Sequence, residues 1–239
     1  MTFVSAIYDY GPTSLLGGRG WNLAYYLPSL INIGRMGAPI VIFSPQKDVG
    51  AITAALAPHF VDLRVLPWRL DQFEYSERLL AWKETYWRDL LFNDRNELLC
   101  VLKSYWVQYA ATRNFFGHDR YCWIDSGLTH HGIFPERVGG VELCADQPRS
   151  HYYPENRSNI FNPELGAALA EAAPRGKVFF CAMPFLNPKQ REAYEEVTAA
   201  ALGRPREQLV IDAHVVGGVF GGHREDLAAV HRIYRTVLD

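Results

Sequence analysis

The sequence predicts an α/β domain built on a largely parallel sheet, and two observations carry that prediction. Short apolar runs bounded by turn residues recur along the chain. Segments with helical spacing separate those runs. Two of the runs, FVSAIY at 3–8 and the YCWI that follows residue 120, lead directly into a carboxylate, Asp9 and Asp125.

The elements follow in order. Residues 3–8 form a buried strand, and Tyr10-Gly11-Pro12 opens a loop that holds Gly17-Gly18-Arg19-Gly20. An aromatic-rich helix begins near Trp21 and is disturbed at Pro28. Residues 39–44 (PIVIFS) are a second buried strand stopped by Pro45, 47–57 are helical, and 60–66 alternate as a third strand. Helices are predicted over 72–92 and 96–112, the latter with Leu98, Leu102, Tyr105 and Tyr109 on one face. YCWIDSGL at 121–128 is a strand ending at a carboxylate, and 129–160 is mostly loop. A short helix covers 163–172, and KVFFCAM at 177–183 is a strand. Asn187-Pro188 starts a helix that runs to Leu202. The segment 208–223 begins as a strand and turns at its glycines. A last helix carries Leu227, Val230, Tyr234 and Val237 on one face.

Composition narrows the function. A chain of 239 residues with 49% hydrophobic and 21% charged residues suits one globular domain over 1–239. The net charge of −2 gathers no nucleic acid, so no nucleic-acid partner is expected. Cys100, Cys122, Cys144 and Cys181 form no CxxC pair, and Cys122 and Cys181 sit in apolar runs as small hydrophobes. The first residues lack a basic stretch followed by an apolar one, and no run is long enough to span a bilayer. A cytoplasmic protein with reduced thiols is expected, without a transmembrane segment; peripheral contact with a membrane stays compatible. GxSxG, HExxH, GxGxxG after the first strand and GxxxxGK[ST] are all missing, so hydrolase, Rossmann dinucleotide and P-loop readings lack support.

The candidate chemistry lies at strand ends. In open α/β sheets ligands bind outside the carboxyl ends of the strands. A carboxylate there can hold a divalent metal, a ribose hydroxyl or a sugar hydroxyl, or it can merely cap a turn. Asp125 is the foremost candidate, because its flanks are apolar and Ser126-Gly127 allows close backbone approach. Asp9 and Asp212 are weighed equally between ligand and cap. Gly217-Gly218-Val219-Phe220-Gly221-Gly222 either cradles a sugar, with Phe220 stacking on it, or is a β-bulge and strand-to-helix turn. His214, between Asp212 and these glycines, is the first choice among the histidines for a metal ligand. His130 and His131 also lie near Asp125 in sequence. Arg19 and Lys103 are candidate diphosphate contacts, and the apolar neighbours of Lys103 require that it find a partner or reach water. Asp212 and Glu225 are the candidate bases.

AIYDYG at 6–11, Trp21, Tyr25, PIVIF at 39–43, Lys103, Asn114-Phe115-Phe116, WIDSG at 123–127 and GGVFGG at 217–222 together resemble the HtrL/YibB family of WlaTC/HtrL glycosyltransferases. That resemblance implies a GT-A-like three-layer α/β/α sandwich. It implies a nucleotide-sugar donor and a glycan, lipid-linked or small-molecule hydroxyl acceptor. It also implies Mn²⁺ or Mg²⁺ as a possible cofactor, Asp125 at the family's Asp-x-Asp position, and Tyr8 and Asp9 near the nucleotide base. This chain departs from the pattern with Asp125-Ser126-Gly127, which lacks a second carboxylate. The rival expectation is a degenerate module of the same fold that binds a nucleotide or glycan without turnover.

Overall fold

The computed structural model describes residues 1–8, 23–77, 94–127, 137–138, 141–142, 161–184 and 213–238, and positions 192, 195, 199 and 205. Its centre is a six-stranded sheet of order β3-β2-β1-β4-β8-β7. The strands are β1 (Thr2–Ala6), β2 (Ile40–Ser44), β3 (Leu63–Pro67), β4 (Arg120–Ile124), β7 (Val178–Pro184) and β8 (Ala213–His223). Strands β3, β2, β1 and β4 pair in parallel, and β8 runs antiparallel to both β4 and β7. A two-stranded ribbon of β5 (Arg137–Val138) and β6 (Val141–Glu142) stands apart from this sheet.

Strands β1, β2 and β4 are buried on both faces, which is why their runs read as continuous apolar stretches. On one face Val4, Val41, Phe43, Tyr121, Trp123 and Phe220 pack with Leu102, Trp106, Val107 and Ala110 of α3 (Asp94–Arg113) and Leu227 of α5 (Arg224–Leu238). On the other, Phe3, Ile40, Ile42, Cys122, Ile124 and Val219 pack with Tyr26, Leu30 and Ile33 of α1 (Leu23–Gly34) and Ile52 and Leu56 of α2 (Val49–Leu56). Helix α4 (Pro163–Glu171) joins this second face through Leu165 and Leu169. The result is the three-layer α/β/α sandwich with a mostly parallel sheet that the sequence predicts.

Local chemistry sets the boundaries. Asn162 caps α4 by accepting the Leu165 N–H at 2.9 Å, with Pro163 in the first turn. Helix α3 ends at Arg113; the next residue, Asn114, has a left-handed φ of 47°, and its Oδ1 accepts the Tyr121 hydroxyl at 2.6 Å. That reversal sends the chain back along α3 as β4.

Helix α1 holds Pro28 inside its Leu23–Gly34 span. One expectation is corrected. The glycine segment at 217–222 is not a turn after a strand; it lies inside β8, which reaches His223 and passes directly into α5. The helix predicted over 72–92 falls mainly on residues outside those described, as do most of the 129–160 loop and the 187–202 helix. Among the described residues no helix is long and apolar enough to cross a membrane.

Candidate functional site

Helix α3 and strand β4 bring Lys103 and Asp125 together. The buried face of α3 repeats at Lys103, Trp106, Val107 and Ala110, a three- and four-residue spacing that puts them on one stripe. Trp106, Val107 and Ala110 cover the sheet. Lys103 belongs to the same stripe but lies over the carboxyl end of β4, where a charged head can leave the core. Its Nζ lies 2.9 Å from Asp125 Oδ1 and 3.1 Å from Oδ2. The side chains are 16% and 30% exposed, so the pair is half-sheltered and still within reach of a ligand.

Asp125 is fixed from three directions. The Trp123 indole Nε1–H donates to its Oδ1 at 2.6 Å. Its own N–H donates to the Gly218 carbonyl at 2.8 Å. Just before it, the Ile124 carbonyl accepts the Ser5 hydroxyl at 2.7 Å, which ties the end of β4 to β1. Lys103 also stands 5.7 Å from the Trp123 ring centroid, a cation–π contact worth about 1 kcal/mol. Ser126 and Gly127 follow as buried residues.

The floor beneath this pair is aromatic. Trp106 stacks between Trp123 at 5.8 Å and Tyr8 at 5.7 Å, and Phe43 stacks on Trp106 at 5.6 Å. The Trp106 side chain is fully buried, and its indole N–H has no partner among the described residues. This packed slab holds Trp123 in place, and through it Asp125.

Strand β8 supplies the wall. Phe180 of β7 pairs with Phe220 and the next residue, Cys181, pairs with Val216, so β8 spends Gly217, Gly218 and Val219 on a bulge. On the other side of β8, Val219 keeps its register with Ile124. The bulge therefore sits beside Asp125, and Gly217-Gly218 lines the site with backbone alone.

Other expected residues fall elsewhere. Gly221 and Gly222 lie within the regular part of β8. A Cβ on Gly221 would stand 2.7 Å from both Phe179 Cζ and the Tyr121 carbonyl oxygen, so this glycine is required by packing, not by a ligand. Phe220 is buried and stacks on Phe180 at 5.7 Å, which leaves no face for a sugar; Phe180, 43% exposed, is the ring of that row that presents surface. Tyr8 is also buried, and its hydroxyl donates to the Trp68 carbonyl at 3.1 Å, with burial raising its pKa. It belongs to the floor and not to a base-binding surface. Glu225 lies two residues beyond His223, which pairs with Arg120 at the opposite end of β4. The full length of β4, roughly 16 Å at about 3.3 Å per residue, separates it from Asp125, so it does not serve this site as a base. His214 pairs with Met183 on β8 beyond the bulge, toward the same end of the sheet as Asp125. Asp9, Arg19, His130, His131 and Asp212 lie outside the described residues.

Mn²⁺ or Mg²⁺ takes several oxygen ligands, usually carboxylates and phosphates. Both oxygens of Asp125 are already engaged, one by an ammonium and an indole N–H and the other by the same ammonium. Among the described residues no three His, Cys, Asp or Glu side chains stand together as a metal site. The described donor set does not fit a divalent ion as the structure stands. Two unit charges about 4 Å apart interact by about 4 kcal/mol near a protein surface, so a neighbouring diphosphate would meet a very different field with Asp125 bare than with it paired.

What the sequence did not reveal is that Trp123 orients the carboxylate and that Gly218 anchors its backbone. Both were visible only as members of apolar or glycine runs. Their roles come from strand register, which one sequence does not specify.

No protein-family model matches the chain, and no curated protein matches it in sequence. Among solved structures it is similar to apo mouse xyloside xylosyltransferase 1, at 8% identity and a TM-score of 0.48, covering 100% of this chain and 72% of that one.

Proposed function

We propose that the protein is a GT-A-like glycosyltransferase that moves a sugar from a nucleoside diphosphate to a hydroxyl acceptor on a glycan, lipid-linked glycan or small molecule. The observation that carries this reading is Asp125. It is a half-sheltered, rigidly oriented carboxylate at the carboxyl end of a central strand, beside a glycine bulge that lets a ligand approach the backbone. The resemblance to HtrL/YibB enzymes agrees with it.

In this reading Asp125 accepts a hydroxyl of the donor's ribose or sugar, and Gly217-Gly218 lies along the donor. The acceptor oxygen attacks the anomeric carbon as the bond to the diphosphate breaks. Positive charge near the leaving diphosphate lowers the barrier by stabilising the charge that develops there. Lys103 and, from the sequence, Arg19 are the cations assigned to this task, and Asp212 remains the candidate base. Phe180 offers an apolar face on which an acceptor sugar can rest.

The displacement of Glu225 favours a second reading, a module that binds nucleotide or glycan and catalyses nothing. A thermal-shift screen with UDP-, GDP-, dTDP- and CMP-sugars tests both. Donor at about 100 times its dissociation constant adds roughly 2.7 kcal/mol of stability. Stabilisation by one nucleotide family, lost in Asp125→Ala, is expected, together with slow donor hydrolysis. Stabilisation without hydrolysis or transfer, even with cell extract supplying acceptors, selects the binding module. A folded protein that no donor stabilises rejects the transferase and the nucleotide-binding module.

A further inference from the structure

We propose that the Lys103 ammonium takes the place of a divalent metal in the donor site, so that nucleoside diphosphate binds without a metal ion. This deepens the donor-site reading and rests on it for the identity of the ligand.

The carboxylate and the ion expected at it do not fit one another. A carboxylate that ligates Mn²⁺ presents at least one oxygen to the metal. In this chain the ammonium stands 2.9 and 3.1 Å from the two oxygens of Asp125, within the space a metal would need. Lys103 is not a loose surface charge that drifts into this place. Leu102, Trp106 and Val107, its neighbours on α3, are buried in the core, and the ammonium also lies 5.7 Å from the centre of the Trp123 ring. The helix, the indole and the carboxylate thus converge on one position for a positive charge.

That position explains how the chain manages with Asp-Ser-Gly where a metal site of this class has two carboxylates. A pair of carboxylates facing a diphosphate needs an ion of charge two between them. One carboxylate needs one compensating charge, and a single lysine provides it. The Lys103–Asp125 pair is neutral as a unit, so it does not repel the diphosphate. The carboxylate oxygens, whose lone pairs outnumber the contacts they make here, can still accept a hydroxyl of the donor. Lysine is a compact point charge, better suited than arginine to standing where a metal ion would.

The experiment compares binding of UDP, GDP and dTDP by calorimetry in EDTA and in Mn²⁺, for the wild type and for Lys103→Met. Alongside it, Mn²⁺ bound in the absence of nucleotide is read by electron paramagnetic resonance for the wild type and Asp125→Asn. The inference expects wild-type affinity for the preferred nucleotide to differ less than threefold between the two buffers. It expects folded Lys103→Met, judged by near-ultraviolet circular dichroism, to lose at least tenfold in EDTA. A threefold or greater tightening of wild-type binding by Mn²⁺ overturns the inference and leaves the donor-site reading standing. So does a folded Lys103→Met that binds in EDTA as well as the wild type. If that variant does not fold, the wild-type comparison decides alone. If no nucleotide binds the wild type in either buffer, the donor-site reading fails and the resonance titration decides. Equal Mn²⁺ binding by wild type and Asp125→Asn then supports a carboxylate closed to metal, and loss of bound Mn²⁺ in Asp125→Asn overturns it.

Discussion

Strand β8 carries two glycine pairs that look alike in sequence and do different work. Gly217-Gly218 sits in a bulge at the carboxyl end of β4, where the Gly218 carbonyl holds the Asp125 backbone. Gly221-Gly222 sits in regular sheet at the other end, where a Cβ on Gly221 would stand 2.7 Å from Phe179 and Tyr121 and one on Gly222 would stand 3.1 Å from Val178. Beyond it the buried His223 and the Arg224 N–H, which donates to the Asp119 carbonyl at 2.9 Å, lock the strand into α5. One end of the strand flanks the proposed donor site and the other is packed into the core. Glycine marks both because a missing side chain serves close approach by a substrate and close approach by a neighbouring ring equally well.

Substitutions at the two ends should separate stability from binding. Gly221→Ala forces a methyl against a backbone carbonyl and an aromatic ring and should cost about 3 kcal/mol, read as a lowered urea midpoint. The fraction that remains folded should bind nucleotide normally. Lys103→Met removes the partner of a half-sheltered carboxylate and should cost about 1–2 kcal/mol by the same measurement. Gly218 is itself buried, but it lies in the bulge and not in regular sheet, so Gly218→Ala should cost less in folding than Gly221→Ala. It should nevertheless weaken nucleotide binding severalfold by calorimetry. Equal stability losses at Gly218 and Gly221 would erase the distinction between the two ends.

The smallest effect is a dependence on pH far from the site. His231 of α5 lies edge-on to Tyr105 at 4.4 Å, and burial, followed by the charge of Arg235, lowers its pKa. His118, bonded to the Thr2 hydroxyl at 2.9 Å, is lowered by burial and by the terminal amino group. Both histidines resist protonation in the folded state, so the unfolded chain binds more protons once pH falls to the ordinary histidine value of 6.5. Their contribution to stability is present above that value and declines as pH falls below it. His231→Leu should flatten the decline in denaturation midpoints measured between pH 7.5 and 5.

The sheet was legible in the sequence because strands buried on both faces read as unbroken apolar runs, and PIVIFS and YCWI stand out on that ground alone. Asp125 was legible because such a run stops at it. Lys103 was legible as a cation without an obvious way to water, but its partner was not, because the helix–strand reversal at Asn114 decides which residues of α3 and β4 meet. Glycine composition suggested a turn at 217–222; tertiary pairing with β4 and β7 overrode it and kept the segment extended. The same pairing sends Glu225 to the wrong end of the sheet for catalysis at Asp125. Its position depends on the direction of β8, and residue spacing does not encode strand direction.

The proposed donor site places a nucleotide sugar at Asp125. The Trp123 indole N–H, which donates to that carboxylate at 2.6 Å, reports on it directly. The measurement is a nuclear magnetic resonance titration of the indole N–H signals with the nucleotide sugar that stabilises the protein, assigning Trp123 by Trp123→Phe. Binding at Asp125 predicts a saturable shift of the Trp123 signal larger than that of any other tryptophan. A saturable shift at other tryptophans with the Trp123 signal unmoved would place the ligand elsewhere and contradict the account.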